Sequence, residues 1–150
     1  MNERGPSHED RLASLEAACR ARGIAVTVQR RAVLEVLAES ETHPSIDDVY
    51  EVVHRRFPEV SRSTIYRILE SFAREGLVRK VFHAGRALRY DPRTDRHHHF
   101  TCTRCERVID ISDPRLDRLP LPDSLARASS FAVQDYTVQF FGLCPDCASE

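Results

Sequence analysis

Four cysteines stand in two C-x-x-C turns, Cys102-Thr103-Arg104-Cys105 and Cys144-Pro145-Asp146-Cys147, with 39 positions from Cys105 to Cys144. Each turn sets two sulfurs on one side of a tight loop, and two such turns complete the S4 tetrahedron that Zn2+ favours. With every coordination position taken by protein, such a site is structural rather than catalytic. Disulfides and a redox dithiol are the competing chemistries. Disulfides are unusual in a reducing compartment, and a redox pair ordinarily has a single C-x-x-C at a helix start. Cys19 has no partner in this pattern and reads as a small apolar side chain.

A second donor set has a different character. His97, His98 and His99 lead into Cys102 on a stretch that reads as a strand, so His97 and His99 share one face and His98 takes the other. Asp91 lies six positions before His97, and Asp110 sits between Ile109 and Ile111, whose burial turns the carboxylate to the opposite face. His43 stands in a break between two expected helices. A mixed imidazole and carboxylate set suits Fe2+ or Mn2+ better than the thiolate-seeking ions, and two carboxylates neutralise a divalent charge. Spacing alone leaves open whether these residues are ligands or ordinary solvated and hydrogen-bonded side chains.

The elements that must position these groups follow from hydrophobic periodicity and capping signals. Residues 8–22 read as an amphipathic helix closed by Gly23. Thr27 precedes a second helix with Val28, Val33, Leu34 and Leu37 at helical spacing. Ser45 caps a third, with Ile46, Val49, Tyr50 and Val53 as its buried stripe, and Pro58 ends it. Ser61 caps a fourth, with Ile65, Leu69 and Phe72 inward and Gly76 closing it. Residues 77–92 then read as two short strands around His83-Ala84-Gly85-Arg86, with Gly85 supplying the positive φ of a tight turn. Helices followed by a small hairpin are the pattern of a winged helix-turn-helix. After Asp91 the chain turns to strands at 97–102, 107–112 and 132–144, with a helical stretch at 113–130 interrupted by Pro120 and Pro122. The fold class expected is α+β: a DNA-binding winged helix over residues 1–90 and a small α/β dimerisation domain over 91–150.

The 150 residues carry 41% hydrophobic and 30% charged side chains, which excludes a disordered chain. No apolar run approaches the roughly 18 residues of a membrane span, and the opening MNERGPSHED lacks a signal-peptide core, so a cytoplasmic protein with no membrane role is expected. Net charge is −1, divided as +2 up to Arg93 and −3 beyond it. A nucleic-acid binder this near neutrality must gather its positive charge on one face.

The motifs taken together resemble the ferric uptake regulator (Fur) family: Thr27-Val28-Gln29-Arg30-Arg31, His43-Pro44-Ser45, Ser61 through Arg67, Glu75-Gly76-Leu77-Val78, the three histidines and both cysteine turns. The resemblance runs from about residue 11 to residue 147. It implies a homodimer that binds a palindromic, A/T-rich double-stranded DNA operator when metal closes the junction between the two domains. Carried over by position, the regulatory Fe2+ or Mn2+ ligands are His43, Asp91, His97, His99 and Asp110, and the structural Zn2+ ligands are Cys102, Cys105, Cys144 and Cys147. The helix opening at Arg62 is similar to the family's recognition helix, with Arg62, Ser63, Thr64, Tyr66 and Arg67 facing DNA in the major groove. Arg30 and Arg31 hold the phosphate backbone. Many relatives have a basic residue at the place of Ala25, which leaves Arg20 or Arg22 to reach the minor groove.

Two departures bear on the signal. Asp110 stands where iron- and zinc-sensing relatives more often carry glutamate, and an aspartate there resembles the peroxide-sensing PerR branch. A shorter carboxylate binding through one oxygen leaves a position for peroxide at Fe2+, with oxidation of His43 or His97 as the consequence. Arg96, His98 and Tyr136 occupy the places of a second metal site and leave it incomplete. The expected function is therefore a peroxide-sensing transcriptional repressor controlling oxidative-stress and metal-homeostasis genes, with a reversible iron- or zinc-status repressor as the alternative. An enzyme, or a small-molecule substrate, is not expected: the cysteine site is closed, and no nucleophile or base stands beside the histidines. A zinc-stabilised scaffold that binds no DNA is the remaining competitor.

Overall fold

The computed structural model describes residues 6–81, 87–126 and 131–149. The chain divides into two compact units, Met1–Thr94 and Asp95–Glu150.

The first unit has four helices, α1 (His8–Ala21), α2 (Val28–Glu39), α3 (Ile46–Arg56) and α4 (Arg62–Arg74), followed by an antiparallel pair, β1 (Arg79–Val81) and β2 (Arg89–Asp91). Every helix starts on a hydroxyl side chain. Ser7 and Ser45 form reciprocal capping boxes with Asp10 and Asp48, while Thr27 and Ser61 accept from the backbone N–H groups of Arg30 and Thr64. These bonds satisfy donors that the helix cannot, each contributing about 1 kcal/mol. α1 and α4 end alike. Gly23 (φ 69°) and Gly76 (φ 72°) take the left-handed conformation, and Ile24 and Leu77 donate back to the carbonyls of Cys19 and Phe72. This closure satisfies the last carbonyls and tucks Ile24 and Leu77 into the core.

That core joins all four helices to the hairpin through Cys19, Leu34, Leu37, Val49, Val53, Ile65, Leu69, Phe72 and Tyr90. Cys19 is fully buried within it, as its small apolar reading requires. Val28 departs from expectation: it is 67% exposed, because burial along α2 begins at Ala32 and the opening turn has no layer beneath it. β2 runs through Asp91, so that residue belongs to the wing's second strand and to the first unit. The expected turn at His83–Arg86, with Gly85, lies outside the described residues.

The second unit is a three-stranded sheet in the order β4-β3-β5, from β3 (His98–Cys102), β4 (Val108–Ile111) and β5 (Gln139–Gly142), with a short α6 (Pro145–Ala148) after it. β3 pairs antiparallel with β4 and parallel with β5. The return path carries a 3-10 turn at Leu116–Arg118 and the short helix α5 (Asp123–Ala126), with Pro120 and Pro122 between them. The strand expected over 132–144 is much shorter. Residues 131–138 have no regular structure. The Tyr136 hydroxyl donates to the Leu116 carbonyl and accepts from the Leu119 N–H, and the Val138 N–H donates to His98 Nδ1. No helix among the described residues is long and apolar enough to cross a membrane.

Candidate metal centres and nucleic-acid face

The cysteine turns lie at the end of β3 and the start of α6. The four sulfurs all fall within 4.8 Å of one another, and Cys105 Sγ is 3.8 Å from Cys144 Sγ. Sulfurs about 2.3 Å from a tetrahedral Zn2+ are separated by about 3.8 Å, so this spacing fits the ion. None of the cysteines is in a disulfide. The local backbone favours thiolate at one of them: N–H groups of Cys105 and Cys144 hold the Cys102 thiol down at about 6. Its neighbours oppose a second charge, and hydrogen bonding to Cys144, followed by burial, pushes Cys147 up to about 12. Four sulfurs this close cannot all ionise without a cation, and a divalent ion resolves that conflict. Around them the apolar cluster is small, with Phe100 and Ile109 packed on Cys102, Cys144 and Cys147.

The imidazole and carboxylate donors form one group in each unit. In the second unit, the alternation of β3 puts His97 and His99 on one face with their rings 4.7 Å apart. His99 is the cross-strand partner of Asp110, and one carboxylate oxygen, Oδ1, lies 3.6 Å from His97 Nε2 and 3.8 Å from His99 Nε2. Alternation puts Ile109 and Ile111 on the other face of β4, but both are only half-buried, and the buried residue of the strand is Val108, on the Asp110 face. In the first unit, His43 Nδ1 is 3.7 Å from Asp91 Oδ1, with both side chains buried. His43 itself is left-handed, at φ 53°. That conformation costs a non-glycine residue about 1–2 kcal/mol, and its carbonyl is held by the Arg89 guanidinium at 2.9 Å.

Arg96, His98 and Tyr136 are engaged with one another in the second unit. The Arg96 guanidinium lies 4.4 Å over the Tyr136 ring and 3.3 Å from Asp135. Because His98 Nδ1 accepts from Val138, its Nε2 carries the proton and donates to Asp117 at 3.1 Å. Among the described residues, no group of three or more metal donors gathers here.

The face of α4 expected to read DNA is outward. Ile65, Ile68, Leu69 and Phe72 are buried, while Arg62, Ser63, Tyr66 and Arg67 are exposed and Thr64 is half-buried. Several of these groups have partners that the sequence did not disclose. Arg62 is bonded to Asp47 on α3, and the hydroxyls of Ser63 and Thr64 each lie 2.9 Å from Ser61 Oγ. Arg31 is ion-paired to Glu16 and Glu35, and Arg30 donates to the Ala25 carbonyl. Arg22 donates to the carbonyls of Glu75 and Ala18, tying the end of α4 to α1.

The chain matches the ferric uptake regulator family over residues 21–141. It is 32% identical over 143 residues to the peroxide-responsive repressor PerR of Staphylococcus epidermidis, covering 95% of this chain and 91% of that protein. Its fold is similar to a zinc uptake regulator complexed with zinc and DNA, with a TM-score of 0.74 at 24% identity over 96% of this chain and 97% of the other. A zinc-bound manganese uptake regulator is similar at a TM-score of 0.65 and 28% identity, over 87% of this chain and 98% of that one. With a family match across four-fifths of its length, the chain belongs to the ferric uptake regulator family.

Proposed function

We propose that the chain is a metal-dependent, DNA-binding transcriptional repressor of the cytoplasm that acts as a homodimer and responds to peroxide. Cys102, Cys105, Cys144 and Cys147 hold a structural Zn2+. His43 and Asp91 from the first unit, with His97, His99 and Asp110 from the second, hold the regulatory Fe2+ or Mn2+; only six positions separate Asp91 from His97. DNA is read by Arg62, Ser63, Thr64, Tyr66 and Arg67, with Arg30 and Arg31 at the phosphates.

The observation that carries this reading is the single oxygen of Asp110 facing both His97 and His99. Nitrogen and carboxylate donors of this kind suit Fe2+ and Mn2+. The similarity to a peroxide-responsive repressor supports the choice of signal. A bound Fe2+ would activate peroxide; one oxygen would be inserted at a ring carbon of His43 or His97 and the other would leave as water, the imidazole supplying the two electrons overall, and the oxidised ring would cease to be a ligand. The domains proposed are a winged helix ending near residue 90 and a dimerisation domain after it. β5 is one of the two outer strands of its sheet, and the exposure of Phe140 and Phe141 on it, and of Leu143 just after it, supports pairing with a second copy.

The test is to load the protein with Fe2+, add stoichiometric hydrogen peroxide, and follow both binding to palindromic A/T-rich duplexes and peptide masses. Loss of binding with oxygen added at His43 or His97 is expected. Unchanged binding and unmodified peptides, with reversible release on chelation, would establish the alternative, an iron- or zinc-status repressor. The likeness to a zinc-bound manganese uptake regulator is what keeps that alternative in play.

A further inference from the structure

In the first unit, the two metal-facing side chains and the DNA-facing helix meet on one strand. β2 holds the loop before α3 by its backbone and by Arg89. The Tyr90 N–H donates to the Pro44 carbonyl at 2.9 Å, the Arg89 guanidinium donates to the His43 carbonyl, and Ser45 bridges to Arg89. Asp91, the next residue along, lies 3.7 Å from the His43 ring. His43 and Asp91 are therefore fixed to the same strand, one through its backbone and the other by position.

Tyr90 points to the opposite side of β2 from Asp91. Its ring is fully buried in the helical core, and its hydroxyl donates to Glu70 Oε1 at 2.9 Å. Lys80, directly across from Tyr90 on β1, donates to Glu70 Oε2 at 2.7 Å. Both oxygens of one α4 carboxylate are thus taken by the hairpin. Glu70 follows Tyr66 and Arg67 by one helical turn, so it stands next to them on the same side of α4. Apolar contacts such as those of Ile65 and Leu69 tolerate small rotations of a helix. Two directional bonds to one carboxylate do not.

We propose that Glu70, Lys80 and Tyr90 form a clasp that transmits metal occupancy at His43 and Asp91 to the DNA-reading helix α4. The three are positioning residues, and they touch neither the ion nor the DNA. An ion held by His43 and Asp91 narrows the positions open to β2, and the clasp passes that restriction to α4. The inference rests on the metal-dependent repressor reading and adds the route of its regulation.

The test uses the full-length, zinc-replete protein with Mn2+ and a duplex selected from a random pool by the Mn2+-loaded wild type. Tyr90→Phe removes the hydroxyl and keeps the ring, and Glu70→Gln keeps an acceptor for Tyr90 and removes the charge that pairs with Lys80. For each variant, DNA affinity is measured with and without Mn2+, and Mn2+ affinity with and without DNA. The Mn2+-dependent gain in DNA affinity should fall by about tenfold in Tyr90→Phe, within the usual range of allosteric coupling, and by less in Glu70→Gln. Mn2+ affinity without DNA should stay within about twofold of wild type, while the tightening of Mn2+ by DNA should shrink by the same factor as the DNA gain, since coupling is reciprocal. A purely structural role would not produce that matched pair of losses. The clasp is overturned if both variants keep the full gain, or if DNA affinity drops equally with and without Mn2+. If the wild type itself shows no Mn2+-dependent binding, the repressor reading falls and the clasp with it. Should Tyr90→Phe fail to fold, Glu70→Gln decides by the same comparison.

Discussion

Asp110 and His99 face each other across the β3–β4 ladder, and Asp110 Oδ1 sits nearly equidistant from His99 Nε2 and His97 Nε2, at 3.8 and 3.6 Å. An aspartate reaches this position with one methylene, so a single oxygen points between two imidazoles. A glutamate on the same backbone would be one carbon longer and free to offer both oxygens. The length of this side chain is thus a chemical variable at the site, separate from its charge.

Asp110→Glu should retain Mn2+-dependent DNA binding and blunt the peroxide response of the Fe2+ form. Asp110→Ala, by contrast, should lower metal affinity by more than about 100-fold, the upper range seen when only an outer-shell partner is lost. Parallel titrations of Mn2+ and hydrogen peroxide against DNA binding separate the two effects.

The cysteine site makes a prediction for the reduced protein freshly stripped of Zn2+, read by rapid mixing before the second unit unfolds. One thiol, Cys102, should ionise near 6, and Cys147 should stay protonated up to about 12. The signs oppose each other. The depressed Cys102 stabilises the fold above its ordinary value of 9.0, and this contribution is lost as pH falls towards 6. The raised Cys147 stabilises below 9.0, and its contribution is lost as pH climbs through about 12. Thiolate absorbance against pH, with Cys102→Ser as control, reads the first of these directly. Adding Zn2+ should bring all four sulfurs to thiolate at neutral pH and release protons.

Removing Zn2+ with a strong chelator should unfold the second unit, whose apolar cluster is little more than the cysteines with Phe100 and Ile109. Structural zinc sites contribute about 10–16 kcal/mol of apparent binding free energy, more than the whole stability of an ordinary small domain. Circular dichroism should show loss of the strand signal while the four helices of the first unit persist.

Asp47 restrains Arg62 at the opening of α4, the proposed recognition helix, and both side chains are exposed. Asp47→Asn should free that arginine and remove a negative charge from the DNA face. Affinity should rise by about two- to fivefold at low salt, and the salt dependence should steepen by about one phosphate contact. Folding stability should change by less than about 1 kcal/mol, as for other exposed pairs. Anisotropy titrations at several salt concentrations test this, and Arg62→Ala should reverse the direction.

Phe141→Asp should shift the protein from dimer to monomer in sedimentation experiments. Phe141 is 57% exposed on β5, an outer strand, where a charge would be tolerated in a monomer and costly in a paired interface.

The features legible in the sequence were those decided over a few residues. Helix starts at Ser45 and Ser61 and the closures at Gly23 and Gly76 depend on one or two bonds to near neighbours, so local residue types suffice. The two C-x-x-C turns and the opposite facing of His97 and His98 follow from turn geometry and strand alternation alone. Long-range packing decided the rest. Val28 fits the helical spacing of α2 and is nevertheless exposed, since burial depends on what lies beneath a turn. The segment 131–138 has strand-like composition, but Tyr136 and Val138 spend their hydrogen bonds on Leu116, Leu119 and His98. Arg31 and Arg62 read as DNA contacts, and only the folded chain brings Glu16 and Asp47 to them across 15 positions each. The clasp of Glu70, Lys80 and Tyr90 has no sequence signature, because its members meet only when α4 packs on the hairpin. Local chemistry named the donors; tertiary packing decided which side chains stand together.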